Sequence, residues 1–122
     1  MQGWISVHRK LLEDGWLQNH KQLTLWLYLL LRASHKAHVV SLNINRNNEW
    51  MTIEQELEPG QLIFGRKAAA RATGMSEQNV RTIIKRLERR GSVQVFPTNN
   101  YTIISIVNWS HYQNAMGGLT IA

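Results

Sequence analysis

The sequence contains no cysteine among its 122 residues. This absence excludes disulfide bonds, cysteine-based zinc sites and thiol catalysis, and it favours a cytoplasmic location, because a reducing compartment gives no benefit to a disulfide framework. Long apolar runs are also lacking. The longest, at Leu23–Leu31, has about half of the roughly 20 residues that a membrane-spanning helix needs. The first ten residues lack the layout of a secretory signal, so we expect no membrane contact.

Motifs for enzyme chemistry are likewise missing from the sequence. His35 and His38 have a spacing that metal ligands on a helix can have, but no further ligand type stands near them. Glu54, Glu56 and Glu58 alternate along a predicted strand, and nothing orders a base or nucleophile beside them. No phosphate-binding glycine loop is present. The sequence therefore predicts a protein without enzymatic activity, metal or cofactor.

Positive charge is concentrated in one segment of the chain. The sequence has 14 Lys and Arg against 8 Asp and Glu, which gives a formal net charge of +6. The segment Arg66–Arg90 holds eight of the basic residues and two of the acidic ones, so it carries the whole excess of positive charge. In the rest of the chain, basic and acidic residues are equal in number. A concentrated basic segment with helical periodicity indicates a polyanionic partner.

Hydrophobic periodicity predicts an α+β fold. Apolar spacings predict a short helix within residues 4–16 and a mostly buried helix from Leu23 to about Lys36. Alternating residues on both sides of the turn sequence RNN predict a β-hairpin at 39–56, and Gln61–Phe64 is predicted to be a short strand.

The length of the chain suits one domain. We expect residues 1–112 to form it and residues 113–122 to be a tail or the start of a linker. The five tryptophans predict an aromatic core. Core packing is expected for Trp4, Trp16, Trp26 and Trp109, with Trp50 at the hairpin as the exception, and Tyr112 is expected to pack on the body of the domain.

The basic segment itself predicts two helices joined by a three-residue turn. Lys67–Thr73 is rich in alanine, which lets a neighbouring helix approach closely, and Gly74 suits the left-handed conformation that ends a helix. The hydroxyl of Ser76 is predicted to cap the next helix, Glu77–Arg90. One side of that helix is apolar and the other is polar and basic. The apolar stripe is Val80, Ile83, Ile84 and Leu87, and the opposite side carries Gln78, Arg81, Thr82, Lys85, Arg86 and Arg89.

A second hairpin is predicted directly after the basic helix. Gly91 ends the helix, and Val93–Phe96 and Thr102–Val107 are predicted strands around a turn at Pro97. Strand, helix, turn, basic helix and hairpin is the order of a winged helix-turn-helix. The sequence therefore predicts this fold, with additional N-terminal helices and one additional β-hairpin. Because residues 92–107 include no Lys or Arg, this wing adds no charge.

An α-helix fits the major groove of B-form DNA, where residues near its N-terminus meet base edges and flanking cations meet phosphates. We therefore predict that Glu77–Arg90 binds double-stranded DNA, with a reading end at Gln78–Thr82 and an anchoring end at Lys85–Arg90. The preceding helix is expected to add backbone contacts. The alternative is a solvated basic face without a nucleic-acid partner. The predicted DNA-binding residues are Arg66, Lys67, Arg71, Ser76, Gln78, Asn79, Arg81, Thr82, Lys85, Arg86, Arg89 and Arg90.

Three segments of the chain resemble a known family. They are GWISVHRKLLEDGW (3–16), PGQLIFGRKAAARATGMSEQNVRTIIKRLERRGSVQV (59–95) and TIISIVNWSHYQ (102–113). They are similar to the N-terminal winged-helix domain of phage replisome-organiser proteins, which are replication-initiation proteins related to the DnaD primosome family. The resemblance implies origin or single-strand DNA binding in phage or prophage replication, with a helicase or its loader as partner. The residues that match the family motif are Arg66, Ser76, Val80, Arg81, Leu87, Glu88 and Gly91.

Other interpretations of the same residues stay open. Proteins of that family often continue into a second domain, so we expect this chain to be either a fragment or a short member. The segment SEQNVRTIIKRLERRG would be equally natural in a transcriptional regulator of the GntR-like or MarR-like type. A third alternative is a protein-interaction module of a primosome, in which the basic face meets an acidic partner and the chain forms a homo-oligomer.

Overall fold

A computed structural model describes residues 4–109 as a mixed α+β structure with four α-helices and two small antiparallel sheets. The predicted tail at 113–122 and the expected packing of Tyr112 lie outside the described residues. In chain order the elements are α1 (Lys10–Glu13), a 3₁₀ helix (Trp16–Gln18), α2 (His20–Arg32), β1 (His38–Arg46), β2 (Glu49–Leu57), β3 (Gln61–Phe64), α3 (Arg66–Thr73), α4 (Glu77–Arg89), β4 (Val93–Pro97) and β5 (Thr102–Ile106).

Both predicted hairpins and the predicted short strand are confirmed. Strands β1 and β2 pair with each other from His38 opposite Leu57 to Arg46 opposite Glu49. The turn between them has Asn47 and Asn48 at φ 54° and 64°, and asparagine is one of the few residues that adopt this left-handed conformation readily. The second sheet has the order β3-β5-β4, so the last strand lies in its centre.

The hydrophobic core lies between α2, α4 and the three-stranded sheet. Leu25 and Leu29 of α2 are completely buried. The predicted apolar stripe of α4 is confirmed, because all four of its side chains lie in this core. Burial of a leucine, valine or isoleucine side chain stabilises a fold by roughly 1.5–3 kcal/mol. The core residues of α4 are Val80, Ile83, Ile84 and Leu87, and those of the sheet are Leu62, Phe64, Val93, Ile104 and Ile106.

The helices before α2 are short. The helix predicted within residues 4–16, ending near Gly15, is confirmed as a single turn at Lys10–Glu13, and Gly15 follows it in a left-handed conformation at φ 76°. Helix α2 begins at His20, where the side chain of Asn19 accepts a hydrogen bond from the Gln22 amide at 3.1 Å.

The predicted end of α2 at Lys36 is wrong, since the helix stops at Arg32. The Ser34 amide donates to the Gln61 carbonyl at 2.9 Å, and the Ser34 carbonyl accepts from the Gly60 amide at 2.7 Å. These bonds hold the chain beyond the helix against the start of β3. The backbone groups that would continue α2 are therefore bonded to the sheet instead.

Three of the five tryptophans form part of the core. Trp16, Trp26 and Trp109 are buried, as predicted. Trp4 is 64% exposed, which overturns the expectation that it packs in the core; its neighbour Ile5 packs against the core instead. Trp50 is 73% exposed at the first hairpin, which agrees with its expected position outside the core.

Gly60 allows Trp109 to approach the backbone at the start of β3. Its φ is 85°, and an added Cβ would lie 2.6 Å from the Cβ of Trp109. We expect Gly60→Ala to lower the free energy of unfolding by about 3 kcal/mol, through left-handed strain and overpacking. Gly74→Ala is the matched control. It has φ 71° with open space around the added Cβ, so strain alone should lower stability by about 1 kcal/mol. Urea denaturation measures both losses, and equal losses would contradict the steric role of Trp109.

Candidate nucleic-acid interface

A short turn fixes the angle between α3 and α4. Gly74 ends α3 at φ 71°, where its amide bonds the Ala70 carbonyl. Ser76 then caps α4, because its Oγ accepts from the Asn79 amide at 3.1 Å. Both features confirm the sequence prediction. Of the four alanines expected to face a neighbouring helix, only Ala69 and Ala70 are buried.

The polar side of α4 is open to solvent along its whole length. The apolar stripe is buried, and a helix advances by 100° per residue, so the remaining positions face outward. Asn79 is half-buried, whereas the six predicted outward residues are all exposed. These six are Gln78, Arg81, Thr82, Lys85, Arg86 and Arg89.

The flank of α4 that faces α2 is engaged within the protein. Arg86 Nη1 donates to Gln22 Oε1 at 3.1 Å, and Gln22 is only 3% exposed. The Arg90 guanidinium lies 5.0 Å from the ring centroid of Trp16, a cation–π distance. Two residues predicted to anchor DNA therefore have structural partners. Their contacts link α4 to α2 and to the 3₁₀ helix.

The opposite flank of α4 borders a groove of about 420 Å³, which we call the α4–wing groove. It lies between α4, the junction of β3 with α3, and the β4–β5 hairpin. Arg66, Arg81 and Lys85 line it, and among the residues 4–109 none of their side chains has a hydrogen bond or ion pair. Glu88 lines it one turn beyond Lys85. Phe64, Gly65, Ile84, Val95, Asn100, Tyr101 and Thr102 complete the described lining.

The remaining predicted site residues lie outside this groove. Gln78 Nε2 donates to Thr82 Oγ1 at 3.4 Å, so the exposed polar groups of the predicted reading end contact each other. Lys67 and Arg71 are exposed on α3 and, four residues apart, share one face of it. Arg89 lies on the exposed side of α4.

Tyr101 is a groove residue that the sequence analysis did not identify. Its hydroxyl donates to Gln55 Oε1 of β2, 46 residues away. The bond ties the β4–β5 hairpin to the first hairpin and holds the tyrosine at the edge of the groove. No local sequence pattern predicts this contact, because the two residues are far apart in the sequence and lie in different hairpins.

Two glutamates of the first hairpin lie on the side of β2 away from Gln55. Side chains alternate along a strand, so Glu54 and Glu56 lie on the face opposite to Gln55. Trp50 shares the acidic face and is largely exposed. The carboxylates of Glu54 and Glu56 are therefore directed away from the contact that links the hairpin to the α4–wing groove, whereas Glu49, at the start of β2, lies on the face of Gln55.

The predicted histidine pair has other partners. The His35 ring contacts Trp109 edge to face at a centroid distance of 5.2 Å, and His38 Nδ1 lies 3.0 Å from the Lys36 carbonyl oxygen. In the part of the chain that the structure describes, no three potential ligand side chains cluster as a metal site. Nor does any helix there have the length and apolar character to cross a membrane.

No model of a known family, no curated protein and no solved structure matches the chain. The resemblance to replisome-organiser proteins thus stays a prediction. The site is defined by its geometry, which consists of an exposed basic helix face, a capped three-residue turn before it, and a groove along one flank.

Arg86 is expected to stabilise the fold through Gln22. Arg86→Ala leaves the buried Gln22 oxygen without this donor, so we expect a loss of about 1–3 kcal/mol in the free energy of unfolding. Arg89→Ala removes a charge one turn away that has no such partner, and stability should change by less than about 0.5 kcal/mol. Chemical denaturation of both variants measures the difference. A similar stability for the two would show that the Arg86–Gln22 bond contributes nothing.

Proposed function

We propose that this chain is a winged-helix domain that binds double-stranded DNA through α4. The order of the elements supports the fold, because α2, β3, α3, α4, β4 and β5 occur in the sequence of a winged helix, with the β1–β2 hairpin inserted between α2 and β3. The sheet order supports it too, since β5 pairs with both β3 and β4 and joins the wing to the body.

One observation carries the DNA-binding function. The entire net charge of the protein lies within Arg66–Arg90, and most of these cations are displayed on exposed surfaces of α3 and α4. A helix with its side chains is about 10–12 Å wide and the major groove is about 12 Å wide, so α4 can enter it. Phosphate contacts from the flanking cations would then supply most of the affinity.

The N-terminal turns of α4 offer groups suited to base recognition. Gln78 and Thr82 are exposed, and their mutual hydrogen bond is long enough at 3.4 Å to be exchanged for a better one. Glutamine pairs with adenine through two bonds, and threonine can bond several bases. Asn79 is half-buried, so it would contact DNA only from the edge of the helix.

The biological setting that we propose is initiation of phage or prophage DNA replication, with a helicase or its loader as a further partner. It rests on the resemblance of residues 3–16, 59–95 and 102–113 to replisome organisers. Footprinting on phage DNA separates this role from transcriptional regulation. Protection at a replication origin would support it, whereas protection confined to promoters would favour a regulator.

The salt dependence of binding tests the DNA contact itself. If about six basic residues neutralise phosphates, log K should fall against log salt with a slope near −5, because each contact releases counterions. Fluorescence anisotropy of a labelled 20-base-pair duplex at several salt concentrations gives the slope. A slope near zero would overturn the proposal and favour the alternative of a protein-interaction module.

A further inference from the structure

We propose that Arg66, Arg81 and Lys85 form one binding site for the sugar-phosphate backbone of a DNA strand, which lies in the α4–wing groove. This inference rests on the proposed DNA-binding function and refines it. It reassigns Arg81, which the sequence places in the reading end of α4, from base recognition to phosphate binding.

The first support is the convergence of three cations, none of which forms an ion pair with a carboxylate among the described residues, although Glu88 lines the same groove. Arg81 and Lys85 are four residues apart and so neighbour each other on α4, while Arg66 approaches the same groove from the start of α3. Like charges at this spacing repel one another. Within residues 4–109 no carboxylate pairs with any of the three. A bound anion would relieve this repulsion, and two helices hold the cations in place to receive it.

The second support is the apolar floor between these cations. Phe64 and Ile84 are 92% buried and form part of the floor, with Val95 beside them. The side chains of this floor carry no hydrogen-bonding group and so cannot read the edge of a base, and the polar side chains Asn100 and Thr102 line the groove from the β4–β5 hairpin. A DNA backbone alternates anionic phosphates with largely apolar deoxyribose rings. That alternation matches a groove with a cationic rim and an apolar floor.

Glu88 sets one end of the proposed phosphate path. It lines the groove one turn beyond Lys85, and its carboxylate would repel a phosphate at that position. The attractive part of the groove is therefore the stretch between Arg66 and Lys85. At the wall, the hydrogen bond to Gln55 holds Tyr101, so the first hairpin acts as a support for the groove.

Duplex binding by three single variants tests the site. We expect Arg66→Gln, Arg81→Gln and Lys85→Gln each to reduce the salt slope by about 0.9, since each removes one phosphate contact. In 0.1 M salt this corresponds to an affinity loss of about eightfold. The loss should be equal for random duplexes and for duplexes selected by the protein from a random library. Lys36→Gln is the matched control, because it removes one exposed positive charge outside the groove.

Glu88→Gln provides a test that loss of folding cannot imitate. Removing the repulsive carboxylate should raise the affinity for both kinds of duplex by about threefold, a size typical of one exposed charge interaction. An unchanged or lower affinity would contradict the path that we place between Arg66 and Lys85. Thermal unfolding of every variant tests whether the fold is kept.

The outcomes separate this inference from the function on which it rests. If the unaltered protein binds duplexes with a steep salt slope but Arg81→Gln changes base preference and leaves the slope intact, Arg81 reads bases and the backbone site is wrong. If all three variants keep the salt slope of the unaltered protein, the backbone site is wrong, whereas DNA binding itself stands. Failure of the unaltered protein to bind any duplex would overturn both.

Discussion

Burial of one apolar stripe of α4 against α2 and the three-stranded sheet determines where every charge on that helix lies. Val80, Ile83, Ile84 and Leu87 cannot leave the core without losing several kcal/mol of hydrophobic stabilisation. The rotation of the helix about its own axis is therefore fixed. Because the rotation is fixed, the basic residues of α4 face outward in a defined direction.

Fixed rotation also divides the outward side of α4 into parts with different environments. On the flank towards α2, Arg86 and Arg90 contact Gln22 and Trp16 and help to hold the helix. On the flank towards the β4–β5 hairpin, Arg81 and Lys85 have no partner among the described residues and border a groove. Arginines that look equivalent in the sequence thus differ in what they can offer a ligand.

The sequence predicts the features that depend on neighbouring residues. The α4 stripe, the Ser76 cap, the Gly74 turn and both hairpins follow from short spacings and turn residues, and all are present in the structure. The positions of the basic residues on the exposed side of α4 were therefore predictable. The groove beside them was not, because it forms only when separate segments of the chain pack together.

Features that depend on distant residues were missed or mispredicted. Helix α2 stops early because Ser34 bonds Gln61, and Arg86 is tied to Gln22, 64 residues away. Trp4 shows the limit of composition as a guide, since a large apolar side chain carries no information about whether the chain near it can reach the core. In each case the deciding contact joins segments that no periodicity relates.

Acidic and basic side chains lie on different elements of the protein, which makes its charge distribution asymmetric. Four glutamates and one arginine lie between residues 38 and 58, whereas the excess positive charge lies on α3 and α4. In the field of a polyanion such an arrangement experiences a torque as well as an attraction, at distances up to about 10 Å in 0.1 M salt. The acidic hairpin, although it offers no cation of its own beyond Arg46, would therefore help to turn the basic helix towards a polyanion before the two surfaces touch.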